Sequence, residues 1–387
     1  MLQIEVVKPE MKSSTNYFHP SVAPLPGGEW LMCMQELAGS DHYGSPEYSI
    51  SSGLGNGWSA PSVIASFESR ALPSGLTEGV ADVRLFALPG SSLVLAIGCT
   101  TFYTPRGALS WDKKALNNLQ MALRQVPVYS IYEPNRGWSP MRKLATPSMD
   151  SCKNWRVACA QLAFTPEGHI LLPVYFETGR VEYYGWDSPQ FSVCVLQATL
   201  DGDELVVENA SNVLSHSVLR GFCEPSLYYF HGEYFLTIRA EDGRGYWSRS
   251  TNPMTFPKPH PWSFSDGELL DMSSTQQHWL ELAGKLYLVY TRDTGDNSKV
   301  TRFRAPLLIA RFNPDSGTLE RNSEQVVLPH EIRNGADGLL GNFHCLALED
   351  GTGIVTDAPA FLKISGGNIV DRHSEIWIAK LKEKDAQ

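Results

Sequence analysis

Six short apolar hairpins carry a repeated position whose residue types suit acid–base chemistry. Counting eight residues back from the turn glycines Gly27, Gly90, Gly168, Gly232, Gly284 and Gly351 reaches His19, Asp82, Ala160, Glu224, Gln276 and Phe343. Two residues further on stand Ser21, Arg84, Leu162, Ser226, His278 and Cys345. Side chains alternate along a strand, so each set is expected to share a face. Two carboxylates flanking a sugar bond are the minimum machinery for glycoside cleavage. Asp82, Glu224 and Asp41, the last in the loop GSDHYG, are the candidates, with Asp41 or Asp82 as general acid and Glu224 as base or nucleophile. An acid working near neutral pH needs its pKa raised by burial or by a like charge. His19 and His278 are the other candidate proton carriers. Solvation of a wet channel is the plain structural alternative for all of these. Gln277 and His344 lie one residue off the register and join it only where a bulge re-aims them.

Arg239 stands inside the apolar strand YFLTIRA, where a cation is costly unless paired. It either bridges to Glu224 or Glu241, or faces a channel to receive an anionic substrate. Arg84, Arg239 and Arg292 would orient an acidic or hydroxyl-rich sugar, while Gln276, Gln277, His278 and His344 would bond its hydroxyls. Tyr43, Tyr175 and Tyr290 suit sugar faces, although core packing is the commoner use of such aromatics.

These residues need a scaffold, and the repeat supplies it. SVAPLPGGEWLMCM, RLFALPGSSLVLAIG, QLAFTPEGHILLPVY, SLYYFHGEYFLTIR, WLELAGKLYLVYT and CLALEDGTGIVTD all read as two β-runs around a Gly turn. A third strand follows each of them, as in EYSISS, FSVCVLQATL and SEIWIAKL, and a weaker fourth follows most, as in SAPSVIAS, SPMRKLA, ELVVENAS and SEQVVLP. Four strands repeated six times predict an all-β chain, a six-bladed β-propeller of four-stranded antiparallel blades. The blades fall at about 15–70, 80–147, 157–212, 221–268, 273–330 and 339–382 of a single domain spanning 1–387, with 2–7 closing the last blade. One stretch, 109–125, has helical spacing of its apolar residues and predicts a short helical insertion. The first-to-second connections are short. The second-to-third connections are long and chemically rich, so function is expected at their end of the ring.

Composition removes other classes. Of 387 residues 42% are hydrophobic and 19% charged, which opposes disorder. Lys and Arg number 32 against 42 Asp and Glu, a net charge of −10 that opposes nucleic-acid binding. No run approaches the ~18 apolar residues of a membrane span. Seven scattered cysteines with no CxxC pair read as buried thiols rather than a disulfide or zinc framework. No nucleotide loop or metal cluster is visible, and no cofactor is expected. The N-terminus lacks signal-peptide features, which fits either a cytoplasmic protein or a mature secreted or periplasmic form.

With the hairpins and the Glu224…Arg239 pair in view, the chain resembles the sialidase-fold superfamily (neuraminidase-like, BNR-repeat) of six-bladed propellers over essentially its whole length. Degenerate versions of that superfamily's Asp box end at Trp58, Trp138 and Phe256, and TQQHW, LVYTR and RAPLLIA at 275–279, 288–292 and 304–310 are close to sialidase-like sequences. The resemblance implies that Glu224 in CEPSL and Arg239 in LTIRA match the glutamate that supports a tyrosine nucleophile and one arginine of a carboxylate-gripping triad. It implies Asp41 as the loop aspartate. The departures are specific. Phe18-His19-Pro20 stands where the first triad arginine belongs, Gln276-Gln277-His278 where the third belongs, and Asn342-Phe343-His344 where the nucleophile belongs. The resemblance therefore implies a sialidase scaffold carrying a different reaction.

The leading functional expectation is a glycoside hydrolase acting on an oligosaccharide or acidic sugar. A polysaccharide lyase is the alternative, with His19, His278 or Tyr43 as base and Arg239 neutralising a uronate. A non-catalytic glycan-binding propeller is the third. The expected partner is an oligosaccharide or polysaccharide.

Overall fold

A computed structural model describes residues 1–39, 41–104, 107–108, 124–146, 152, 154–157, 160–183, 186–365 and 368–384. The helical reading of 109–125 and Cys159 fall outside these, apart from residues 124 and 125. The described chain is built of antiparallel sheets, six of which follow one another in sequence with their strands paired in chain order. Sheet one holds Tyr17–Pro24, Trp30–Gly39, His42–Ser51 and Ser62–Val63. Sheet two is built on Thr77–Ala87, Val94–Thr104 and Pro127–Glu133, with Arg142–Lys143 outermost. Sheet three runs from Ala163–Phe164 through Ile170–Tyr183 and Trp186–Asp201 to Glu204–Ala210. Sheet four has Cys223–Phe230, Glu233–Arg239, Gly245–Ser250 and His260–Pro261. Sheet five has His278–Leu282, Lys285–Tyr290, Leu307–Asn313 and Gln325–Leu328. Sheet six has His344–Ala347, Gly353–Asp357 and Trp377–Glu383, and Leu2–Val7 from the other end of the chain pairs antiparallel with Trp377–Glu383 to complete it.

No sheet of this kind is stable alone, because each has two apolar faces to bury. The apolar clusters lie between sheets. One joins Ile97 and Tyr129 of sheet two to Leu172 and Val193 of sheet three and Leu227 of sheet four. Another joins Val289 and Ile309 of sheet five to Val355 and Ala379 of sheet six. A third joins Leu31 and Cys33 of sheet one to Leu85 and Val94 of sheet two. Val22, Met32 and Trp58 of sheet one meet Ile354 and Ile378 of sheet six, which links the last sheet to the first. Trp58 and Trp377 are fully buried at these seams, and Trp262 and Trp279 at another, between Phe235 of sheet four and Leu288 of sheet five.

Two features differ from the sequence reading. A seventh sheet, Ile332–Arg333, Ala336–Leu339, Ala360–Ser365 and Asn368–Ser374, is built from the link before sheet six and from the long connection inside it. In ETGRVEYYGWDSPQ at 177–190, one of the long second-to-third connections expected from the sequence, residues 177–183 and 186–190 are strand. They continue the central hairpin of sheet three out to a Tyr183–Trp186 pair. Cross-strand pairing can extend a β-rich polar segment that reads as loop from composition alone. Among the described residues Cys33, Cys194, Cys223 and Cys345 are free thiols, and these and Cys99 are buried. Among the described residues no helix is long and apolar enough to cross a membrane.

Candidate active site

Three of the repeated positions share a backbone device that the repeat did not reveal. His19, Asp82 and Glu224 have φ of 53°, 58° and 46°. Each lies where the pairing of its inner strand slips, between Phe18 and Ser21, Ala81 and Arg84, and Cys223 and Ser226. A left-handed residue with a Cβ costs roughly 1–2 kcal/mol. Three such costs at equivalent bulges mark a shared purpose, since strain of this kind collects where side chains are aimed for function. In sheet two the bulge is made possible by Gly98, where an added Cβ would stand 2.7 Å from the Ala81 carbonyl.

The bulges bring His19 of sheet one and Asp82 of sheet two together, Nδ1 to Oδ1, at 3.0 Å. Burial lowers the His19 pKa more than Asp82 raises it, so the ring is neutral at neutral pH. Burial pushes the Asp82 carboxyl up, but the hydrogen bond with the His19 ring and the Arg84 and Arg156 charges outweigh it, and Asp82 stays below its ordinary value. Asp82 is therefore held ionised, which does not suit it to be the general acid. Tyr43 lies over His19 with ring centroids 4.9 Å apart and stacks on Phe18 at 6.0 Å. Asp41 sits exposed in the tight turn between the second and third strands of sheet one, at φ 50°. Its charge is felt by His19, Tyr103 and Arg304, which places it above the same mouth.

On the sheet-four side, Arg239 pairs with Glu224 and, at 3.2 Å, with Glu241, and donates from Nε to Ser274 Oγ at 3.0 Å. The choice left open for Arg239 goes to the bridge. Arg220 grips Glu241 through Nε, 2.9 Å from each oxygen. Tyr175 is buried, and burial pushes its phenol far up, with the Arg156 cation opposing and the Glu224 charge reinforcing the shift.

Two arginines that sequence reasoning passed over complete the mouth. Arg302 and Arg304 precede the third strand of sheet five. Arg302 donates to the Ser274 carbonyl. Arg304 is partly buried, and its guanidinium has no hydrogen-bond or ion-pair partner among the described residues, its Nε being enclosed without one. Burial first, and then repulsion from neighbouring arginines, lowers the pKa of both, while Glu224 is one of the charges opposing the shift. Arginine remains charged all the same. A signal existed: RFRA ends the long connection of unit five, just before a run already singled out.

The other candidates are elsewhere. Arg84 is 1% exposed and cannot meet a substrate; it donates to the carbonyls of His19 at 3.3 Å and Asn342 at 3.1 Å. His278 is buried against Ser226 Oγ at 2.7 Å, and burial lowers its pKa far below the ordinary value. His344 is buried likewise, pushed down to about 3. Gln276 donates to the Phe343 carbonyl at 2.5 Å. Gln277 Oε1 accepts from Thr237 at 2.6 Å and Trp262 at 3.1 Å, inside the seam between sheets four and five. Arg292 and Tyr290 are both engaged by Glu324, so neither faces the mouth. Gln161, just before sheet three, reaches the Trp279 backbone of sheet five by two 2.9 Å bonds. Among the described residues no group of three or more His, Cys, Asp or Glu side chains could hold a metal ion. A cavity of about 420 Å³ beside Trp30, Leu54 and Ile354 lies between sheets one and six, apart from these residues.

Solved structures share the fold. A protein of unknown function from Dyadobacter fermentans superposes with a TM-score of 0.66 at 16% identity, covering 99% of each chain. A variant of the NanB sialidase from Streptococcus pneumoniae gives 0.59 at 11% identity over 97% of this chain and 70% of that one. The fold is sialidase-like. The intramolecular trans-sialidase from Ruminococcus gnavus gives 0.55 at 10% identity, over 95% and 94% of the two chains. No family model and no curated protein matches the sequence. At these identities the sialidase-like fold is a statement about scaffold, and chemistry has to be argued from the side chains.

Proposed function

We propose that the chain is a carbohydrate-active enzyme that hydrolyses a glycosidic bond next to an acidic sugar. The site would be the mouth of a six-bladed propeller made by residues 1–387 as one domain. The observation that carries this reading is Arg304: a partly buried cation without a protein partner among the described residues, beside Arg302 and close to the Glu224–Arg239 pair. A carboxylate is the ligand that relieves it, because guanidinium and carboxylate match in charge and fork geometry. Arg239 is committed to Glu224 and Glu241, so Arg302 and Arg304 are the groups that would take the sugar's acid.

In this reading Asp82, held ionised by His19, stabilises positive charge developing on the sugar ring or serves as base. Glu224, oriented by Arg239, is the second carboxylate of the pair. Asp41, on its exposed turn, is left as the acid that protonates the leaving oxygen, the carboxylate of a bound acidic sugar supplying the like charge that such an acid needs. Tyr43 presents a ring to the sugar face. The test is incubation with a panel of oligosaccharides ending in sialic or uronic acids, with products read by mass. Products that together gain one water, about 18 Da, support hydrolysis.

One observation favours a second reading. Tyr43, partly exposed above the buried His19 and close enough to Arg304 to act on its charge, stands where a base for β-elimination from a uronate would. An unsaturated product without added water would decide for a lyase. Saturable binding with no product over the whole panel would decide for a glycan-binding module.

A further inference from the structure

We propose that Arg84, together with Thr356, is a positioning residue that holds the bulge at His19 and so keeps His19 against Asp82. This rests on the reading of His19 and Asp82 as part of the active site. The bulge consists of His19 and Pro20, and its two carbonyls are held from opposite sides. Arg84 Nη1 of sheet two donates to the His19 carbonyl at 3.3 Å. Thr356 Oγ1 of sheet six donates to the Pro20 carbonyl. The second arm of the Arg84 fork, Nη2, donates to the Asn342 carbonyl at 3.1 Å. The chain at 341–342 is itself pinned, because the Gly341 amide donates to Asp357 Oδ2 at 2.9 Å while Asp357 Oδ1 accepts the Ala358 amide at 2.8 Å. Ser21, just past the bulge, accepts the Leu85 amide at 2.9 Å, next to Arg84 in sequence. Sheets one, two and six, where the two ends of the chain meet, are thus tied through one guanidinium.

The physical need is clear. His19 occupies a left-handed backbone that a residue with a Cβ leaves unless its surroundings over-determine it. Arg84 sits two residues after Asp82 on the same strand. One rigid side chain therefore fixes the carbonyl of His19 relative to the strand that carries Asp82. Lysine cannot replace it, because a single ammonium cannot span two carbonyls with the planar fork that arginine offers.

The test uses Arg84→Lys, Arg84→Met and Thr356→Val in the full chain, with His19 read by long-range ¹H–¹⁵N NMR and assigned through His19→Gln. In the wild type His19 is expected as the neutral tautomer with its proton on Nδ1, facing Asp82. Arg84→Lys keeps the charge and loses the fork, and His19 is expected to shift to a mixture of tautomers while unfolding stays cooperative. Thr356→Val, which removes only a hydroxyl, is expected to shift His19 in the same direction by less, and it decides the matter if the arginine variants do not fold. Unchanged His19 signals in Arg84→Lys, or in Thr356→Val where the arginine variants do not fold, overturn the proposal. These signals need no substrate, so they stand apart from the assigned reaction. Where turnover is found, kcat should fall about 10²-fold in Arg84→Lys with KM nearly unchanged, whereas a role in substrate binding would raise KM.

Discussion

Replacing Arg304 by Met should weaken the binding of a carboxylated sugar without weakening the fold. Among the described residues nothing pairs with the guanidinium, and burial together with neighbouring arginines disfavours its charge, so its removal strands no partner. Arg239 is the control, because its loss would leave Glu224 and Glu241 short of their cation. Breaking such a buried pair costs roughly 3–5 kcal/mol. Unfolding entropy is about 2.1 cal/mol/K per residue, or roughly 0.8 kcal/mol/K over 387 residues. Arg239→Met should therefore lower Tm by about 4–6 °C, whereas Arg304→Met should leave it unchanged or raise it. A charge-assisted hydrogen bond contributes about 1.5–3 kcal/mol, which at about 1.4 kcal/mol per decade is roughly a 10- to 150-fold loss of affinity. Calorimetric titration with sialic and uronic acids, each paired with a neutral sugar of the same ring, measures this directly. The neutral sugars should be unaffected. A drop in Tm as large as that of Arg239→Met, or an unchanged Kd for every acid that binds the wild type, would refute the reasoning.

Glu224→Gln should reduce kcat by about 10²–10⁴-fold with little change in thermal unfolding, since the amide oxygen can still face Arg239; wild-type turnover would remove Glu224 from the mechanism. Gly98→Ala should cost about 1–3 kcal/mol by crowding the Asp82 bulge against the facing strand, read as a lower denaturation midpoint. Burial pushes Glu241 up, but the Arg220 hydrogen bond and the Arg220 and Arg239 charges bring it from 4.5 down to about 2. The ionised carboxylate thus adds about 3 kcal/mol that is fully present above pH 4.5 and lost as pH falls toward 2. Unfolding followed over that window should flatten in Glu241→Gln, and a parallel pH curve would show that the pair adds nothing.

Much of the scaffold was legible because hairpins are local. Period-two apolar runs around Gly turns reappear in the structure as paired strands, and the eight-residue count lands on His19, Asp82 and Glu224 in three inner strands. Glu224 and Arg239 could be paired from sequence because they stand almost opposite each other in one hairpin, where Cys223 faces Arg239. Arg84 could not be read the same way. Whether its side of the strand meets solvent or a packed interior depends on neighbouring sheets. Gln277, Arg292 and Tyr290 went to partners on other strands or connections for the same reason, and the seventh sheet joins segments some 20 residues apart that carry no repeat.

Composition and local pattern were enough to specify an all-β chain of repeated hairpins, the strand faces within each, and the carboxylates and arginine that one hairpin can hold. Packing settled the rest. The left-handed bulge that aims His19 at Asp82 is bonded by side chains of two other sheets, Arg84 and Thr356. The approach of Arg302 and Arg304 to the Glu224 side of the mouth requires sheets four and five to be docked. Strand alternation is an energy of neighbours in sequence, whereas strain and charge placement at the site are energies of residues tens to hundreds of positions apart, and only docked sheets bring those together.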